Sequence, residues 1–237
     1  MADTALSRVT KADRVIFVGD VHGCIDELQA LMRVVGYAAS DRVVFVGDLV
    51  AKGPDSNGAV AYARELAALG VRGNHDQRVL DYRKAQRENA PLPPLKPQHE
   101  QVVNTLVDED WAYLDALPFW LRVPAHNVLV VHAGIVPNVP LEQQHKRDLV
   151  TMRSLKADGT ASPRMNDGVA WATAWHGPEE IVFGHDAIRG LQHHPFAIGL
   201  DSGCCYGRQL TAYLLPERRL VSVRAKRVYT KPKGTDF

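Results

Sequence analysis

Val43-Val44-Phe45-Val46-Gly47-Asp48-Leu49-Val50-Ala51-Lys52-Gly53-Pro54 is the stretch whose reading decides the fold. Four apolar β-formers run without a polar break into Gly47-Asp48, the pattern of a strand buried on both faces. Such a strand delivers a carboxylate to the rim of a sheet. A loop with one cation and Gly-Pro begins there.

The same pattern occurs a little earlier. Asp13-Arg14-Val15-Ile16-Phe17-Val18-Gly19-Asp20 matches Asp41-Arg42-Val43-Val44-Phe45-Val46-Gly47-Asp48 at seven of eight positions, 28 residues apart. Between the two octets, Ile25, Leu28, Leu31, Met32 and Val35 fall at helical spacing, and Gly36 stops the helix. This predicts a β-α-β unit with parallel strands, so Asp20 and Asp48 reach one sheet edge.

Further along, a second helix is expected from about Gly58 to Leu69, capped by Asp55, Ser56 or Asn57 and closed by Gly70. Val71 leads into Arg72-Gly73-Asn74-His75-Asp76, after which a helical pattern resumes. Residues 89–98 are Pro-rich and read as a surface connection, with a polyproline ligand as the alternative. Helical stretches around 102–107 and 111–117 come next. Leu121–Val123 and Val128–Val131 read as a hairpin turning at 125–127, and its second strand ends in His132-Ala133-Gly134. Trp171 and Trp175, four apart, suggest a helix with core tryptophans. Ile181-Val182-Phe183 delivers Gly184-His185-Asp186. Strands are expected at 196–200, 210–215 and 220–223, and His193-His194 reads as an exposed turn. A parallel start and a hairpin-rich finish predict an α/β (α+β) fold of two mixed β-sheets packed as a sandwich flanked by helices. The whole of 1–237 reads as one domain, motif-bearing over 14–215, with a Pro-rich insertion at about 89–98.

Composition narrows the class. With 46% hydrophobic and 23% charged residues the chain has ample core, and its net charge of +1 gives no whole-chain signal for nucleic acid or membrane. Residues 216–237 hold seven Lys/Arg (Arg218, Arg219, Arg224, Lys226, Arg227, Lys231, Lys233) against Glu217 and Asp236. They read as a solvated strand and tail, the alternative being a basic edge that attracts a polyanion. Cys24, Cys204 and Cys205 are odd in number, so no disulfide framework is expected and the setting reads as reducing and cytoplasmic. Residues 1–8 lack the apolar core of a signal peptide, and no apolar run is long enough to span a bilayer.

Six hard ligands stand at strand ends: Asp20, His22, Asp48, Asn74, His132 and His185. On an extended segment Asp20 and His22 would point to one side. Mixed Asp/His/Asn donors without thiolate suit Mn, Co, Zn, Fe or Mg and disfavour a structural zinc site. Six ligands exceed one tetrahedral site and suffice for two ions ~3.5–4 Å apart that share one carboxylate. Asp48 is the obvious bridge. Taken in order, Gly-Asp-x-His-Gly, Gly-Asp-x-Val-x-x-Gly, Gly-Asn-His-Asp, His-Ala-Gly and Gly-His-Asp resemble a metallophosphoesterase of the phosphoprotein-phosphatase superfamily. The ApaH-like phosphatases, relatives of symmetrical diadenosine tetraphosphatase, are the most similar branch. The resemblance covers roughly residues 14–76 and 128–215.

That resemblance implies the calcineurin-like metallophosphoesterase fold. It also implies one divalent ion on Asp20, His22 and Asp48 and a second on Asp48, Asn74, His132 and His185. A metal-bridging hydroxide would attack phosphorus in line. His75 would protonate the leaving oxygen, held by Asp76. Arg72, Lys52 and, from its place in Thr-Met-Arg-Ser-Leu, Arg153 would bind phosphate. Tyr206 is a candidate for stacking a nucleobase. Cys204 and Cys205 read as buried beside the site. Phosphoprotein phosphatases carry Asp-Arg-Gly where this chain has Ala51-Lys52-Gly53; the Lys-Gly-Pro form is similar to the ApaH-like branch. The expected function is therefore hydrolysis of phosphoanhydrides in a small polyphosphate or nucleotide substrate: a dinucleoside polyphosphate, polyphosphate or a nucleotide cap such as a capped RNA end. A protein Ser/Thr phosphatase is the alternative, and a non-catalytic metal-binding scaffold the third.

Overall fold

A computed structural model describes residues 10–231 of the protein, Ala12 excepted. Residues 1–8, Lys233 and Asp236, which entered the sequence reading, lie outside the described residues. The chain opens with β1 (Val15–Val18), α1 (Ile25–Val35) and β2 (Arg42–Phe45). β1 and β2 pair in parallel, as the repeated octet predicts. Gly36 ends α1 in the left-handed conformation, and its N–H closes onto Arg33.

α2 covers Ser56–Glu65, and Oδ1 of its N-cap, Asp55, accepts the Gly58 N–H at 2.8 Å. The helix is shorter than its periodicity suggested. Ala67 turns to φ +47° and frees Leu69–Gly70 to form β3, which pairs in parallel with β2. Next come α3 (Asn74–Arg87), α4 (Pro97–Thr105) and α5 (Asp108–Ala116). α4 begins inside the Pro-rich run because Pro97 takes the first helical position, where a missing N–H costs nothing.

β4 (Trp120–Val123) and β5 (Val128–Val131) form the expected hairpin. α6 (Lys146–Thr151) leads to a small sheet of β6 (Ser154–Leu155), β7 (Ala161–Ser162) and β8 (Val169–Ala170). The helix expected around Trp171 and Trp175 is only a 3₁₀ turn over Trp171–Thr173. Trp171 is buried edge-on against Phe183, with centroids 4.8 Å apart. β9 (Glu180–Phe183), β10 (Gln192–His194), β11 (Ala197–Gly199), β12 (Gln209–Leu215) and β13 (Arg219–Arg224) complete the order. His193-His194 therefore belongs to a strand paired with β11, not to a turn.

The first sheet runs β13-β12-β1-β2-β3 and the second β10-β11-β9-β5-β4. Alternation along the strands explains how they pack. Phe17, Val44, Val130, Val182, Ile198 and Tyr213 fill the space between the sheets. Ile16, Val18, Val43 and Phe45 face the other way, onto α1, α2 and the α3–α5 layer. On the second sheet, Leu129, Val131, Ile181 and Phe183 face out onto Trp171, Leu149 and Met152. β1, β2, β5, β9 and β11 are thus covered on both faces, which is why they read as unbroken apolar runs.

Parallel partners β1 and β2 align Ile16 with Val43 and Phe17 with Val44. The matching octets are therefore staggered by one residue. Phe17 points between the sheets, and its counterpart Phe45 points at the helices.

Candidate metal centre

The C-terminal ends of the parallel strands meet at one rim, and the six expected ligands come together there. Asp20 and His22 follow β1, Asp48 follows β2, Asn74 opens α3 just after β3, His132 follows β5 and His185 follows β9. Asp20, His22, Asp48, His132 and His185 are all buried. Oδ2 of Asp48 lies 3.5 Å from Nε2 of His22 and 3.5 Å from Nε2 of His132, between the two groups of ligands. Oδ1 of Asp48 accepts the His75 N–H at 2.9 Å. Oδ1 of Asn74 lies 3.2 Å from Nε2 of His132 and 2.9 Å from Nδ1 of His185. Both carboxylate oxygens of Asp20 accept the His185 N–H at 3.2 Å.

The backbone is bent hard to achieve this. His22, Asp48, Ala51, Lys52 and His185 all have positive φ, between +49° and +68°. Segment 20–22 is therefore not extended, and His22 reaches Asp48 through a left-handed turn. Strained backbone of this kind persists only where its surroundings over-determine it. Two motif glycines serve by volume: a Cβ on Gly73 would collide with the Asp48 carboxylate, and one on Gly184 with that of Asp20.

The donor chemistry fits a metal. Nδ1 of His22 donates to the Val50 carbonyl at 3.1 Å, and Nδ1 of His132 to that of Val46 at 2.8 Å. Nε2 of His185 donates to the Thr151 carbonyl at 3.0 Å. Each ring is thereby fixed in the tautomer whose other nitrogen is a bare lone pair facing Asp48 or Asn74. Burial keeps these rings neutral, with His132 lowered to about 4 and His22 and His185 well below the usual imidazole range. Burial also pushes Asp48 up to about 7 against the pull of Lys52. Burial, then the charges of Asp201 and Asp48, raises Asp20 well above the usual carboxylate range. Lone pairs and carboxylates crowded in this way suit a cation held between them.

Above the ligands is a cavity of about 290 Å³. Asp48, Asn74 and His185 form its floor, and Lys52, Lys96, Arg153 and Lys231 line it with His75, Gln98, Asp201 and Tyr206. Lys52 Nζ stands 2.8 Å from Nε2 of His22 and over the Tyr206 ring at 5.3 Å. Arg153 donates to the carbonyls of Pro163 and His185 and lies 3.6 Å from the Asp186 carboxylate.

Two expected roles are corrected. Arg72 does not line the cavity. Its guanidinium donates to the carbonyls of Leu117 and Asp115 and to Gln77, so its fork is committed to the loop before β4. Asp76 does not face His75. Its carboxylate accepts four backbone N–H bonds, from Gly73, Asp48, Leu49 and Val50. As the third residue of α3 it reaches back to clamp the loop behind Asp48.

Sequence reasoning gave no role to Asp201, His99 and Lys96, and took Lys231 only as part of the basic tail. Asp201 is buried beside Asp20 and accepts the Gly203 N–H at 3.1 Å. Its signal was present, since it follows an apolar strand as Asp48 does. Cys24, Cys204 and Cys205 are buried free thiols, as read. Of the basic tail, Lys226 pairs with Asp26 and Arg218 with Glu180, whereas Lys231 reaches the cavity.

Known proteins are similar to this chain. The asymmetrical bis(5'-nucleosyl)-tetraphosphatase PrpE of Oceanobacillus iheyensis is 27% identical, over 94% of this chain and 97% of its own length. A symmetrical bis(5'-nucleosyl)-tetraphosphatase of Shewanella sp. (strain ANA-3) is 27% identical, over 89% of this chain and 98% of its own. A crystal structure of a candidate diadenosine tetraphosphatase superposes with a TM-score of 0.81 at 41% identity, covering 92% of this chain and 96% of that one. The calcineurin-like phosphoesterase model matches residues 13–220, a span that runs from the first octet to β13 and takes in all six candidate ligands. The chain belongs to the calcineurin-like phosphoesterase family, whose members are metal-dependent phosphohydrolases.

Proposed function

We propose that the chain hydrolyses phosphoanhydride bonds in dinucleoside polyphosphates such as diadenosine tetraphosphate, with two divalent ions that share Asp48. The observation that carries this is the cavity: buried N/O donors on its floor and four cations on its walls. Asp20, His22 and Asp48 would hold one ion, and Asp48, Asn74, His132 and His185 the other. When bound, such ions supply a water of lowered pKa and a Lewis acid for phosphoryl oxygens. The donor set suits Mn, Co, Zn, Fe or Mg.

The chain's own groups do the rest. Lys52 and Arg153 hold the phosphate at the floor. Lys96 and Lys231, farther along the walls, hold the outer phosphates of a polyanionic chain. His75 gives its proton to the leaving oxygen. Tyr206 lines the cavity where a base would lie, its ring also facing Lys52. Three buried free thiols support a cytoplasmic setting, and among the described residues no helix is long and apolar enough to cross a membrane.

The test is kcat/KM for diadenosine tetraphosphate, inorganic polyphosphate and two phosphopeptides, at one salt concentration, with each metal in turn. Diadenosine tetraphosphate is expected to be hydrolysed fastest. A phosphopeptide outrunning both anhydrides would overturn the proposal. Product analysis then fixes the bond attacked: two ADP for symmetrical cleavage, ATP and AMP for asymmetrical.

A further inference from the structure

His75 has a partner that no motif announces. His99, on α4, is only 4% exposed, and its Nε2 lies 2.9 Å from Nδ1 of His75. The rings stack with centroids 5.0 Å apart and planes 14° from parallel. We propose that His99 is the positioning residue for His75: its Nε2–H donates to Nδ1 of His75 and so fixes the other proton of His75 on Nε2, the nitrogen left for the cavity.

The direction of this bond is set by the far side of His99. Nδ1 of His99 is buried and has no hydrogen-bond partner. Two neutral imidazoles share one bond in one of two ways. In the first, His75 donates from Nδ1, and His99 must carry its only proton on Nδ1, where nothing receives it. In the second, His99 donates from Nε2, and its Nδ1 is a bare lone pair. A buried orphan N–H is the costlier and rarer of the two. The second arrangement gives His75 the tautomer a proton donor at Nε2 requires. Asp76, the carboxylate next to His75 in sequence, does not compete for the role, because it is taken up by four amides.

This also gives the Pro-rich segment a purpose. The segment ends at Pro97, which starts α4, and His99 sits two residues on. Asn57 on α2 binds Thr105 at the other end of α4, through its amide to the Thr105 carbonyl and through its Oδ1 to the Thr105 hydroxyl. The helix that carries His99 is therefore held at both ends.

The assignment rests on reading His75 as the proton donor, and its test has one arm that does not. The variants are His99→Phe, which keeps the stacked ring but has no N–H, and His99→Gln, which restores an N–H donor. In the magnesium-loaded protein labelled with ¹⁵N-histidine, two-bond ¹H–¹⁵N spectra are expected to show His75 protonated on Nε2 alone. His99→Phe should give a mixture of tautomers, and His99→Gln should return the single form. A wild-type His75 protonated on Nδ1, or an unchanged His75 in His99→Phe, overturns the proposal. In the second arm, His99→Phe should lower kcat about 10-fold for a poor leaving group and less than about 2-fold for p-nitrophenyl phosphate. KM and metal content should hold, and His99→Gln should recover most of the loss. Equal losses for both leaving groups would also overturn it. If the wild type hydrolyses neither substrate, the proposed function falls and the spectra alone decide His99.

Discussion

Asp13–Asp20 and Asp41–Asp48 are nearly the same octet, lie side by side in one sheet, and do different things. Asp20 leans toward the second sheet, where the backbone of His185 holds both its oxygens. Asp48 stands between the ligand groups, with Nε2 of His22 on one side and Nε2 of His132 on the other. The one-residue stagger reverses every side chain between the octets, and the loops behind them diverge. The loop after Asp20 hangs on its neighbour: His22 N–H donates to the Asp48 carbonyl and Gly23 N–H to that of Leu49. The loop after Asp48 is fixed by Asp76. Two nearly identical strands thus owe the different placement of their carboxylates to the loops at their C-terminal ends.

The sharpest way to break this comparison is to neutralise each carboxylate. Asp48→Asn should empty both ion positions and lower activity by more than about 100-fold, since even partners that only orient metal ligands cost 10–100-fold. Asp20→Asn should lose one ion and keep the other. Metal content per chain decides it: equal contents in the two variants would deny Asp48 its shared position.

A smaller effect is expected from the clamp. Asp76→Asn replaces a carboxylate that accepts four N–H bonds with an amide that turns a donor toward donors. It should cost about 2 kcal/mol in urea denaturation. Metal affinity should fall with it, because the Asp48 loop loosens first and carries the Asp20 loop along. An unchanged urea midpoint would mean that the backbone holds this loop unaided.

The smallest effects come from the single position at which the octets differ. Ile16 faces the helices and Val44 faces between the sheets. Ile16→Val should cost about 1 kcal/mol as a lost methyl, and Val44→Ile about 1 kcal/mol as overpacking. If Val44→Ile proved stabilising, the packing between the sheets would have room that the buried strands do not suggest.

Much of this could be read from the sequence. The two sheets and the cluster of six candidate ligands were legible because each of those residues follows an apolar strand or opens a helix beside a glycine, a signal contained within a few residues. What escaped lies in contacts between distant segments. Asp76 and His75 are neighbours in sequence, but successive residues at the start of a helix point about 100° apart, so adjacency says nothing about contact. Arg72 has the chemistry of a phosphate binder, and only the tertiary fold shows its guanidinium bonded to Leu117, Asp115 and Gln77. His99 and Lys96 lie in or beside a Pro-rich run without a motif, and of the basic tail only the fold shows that Lys231 is the residue that lines the cavity. The i,i+4 tryptophans imitated a helix, although Trp171 sits where it does to pack on Phe183.

Because both octets are apolar on both faces and differ only at Ile16 and Val44, either strand would fit either slot at the cost of that one methyl. Nothing else inside the octet tells one face from the other. What distinguishes the slots lies at their ends. At the entrance, Arg14 reaches Asp41 and the carbonyl of Val35; at the exit, Asp76 gathers the amides of Asp48, Leu49 and Val50. The strands are interchangeable parts and the loops carry the address. A chain with its two octets exchanged and every loop left in place would therefore be expected to rebuild the same centre.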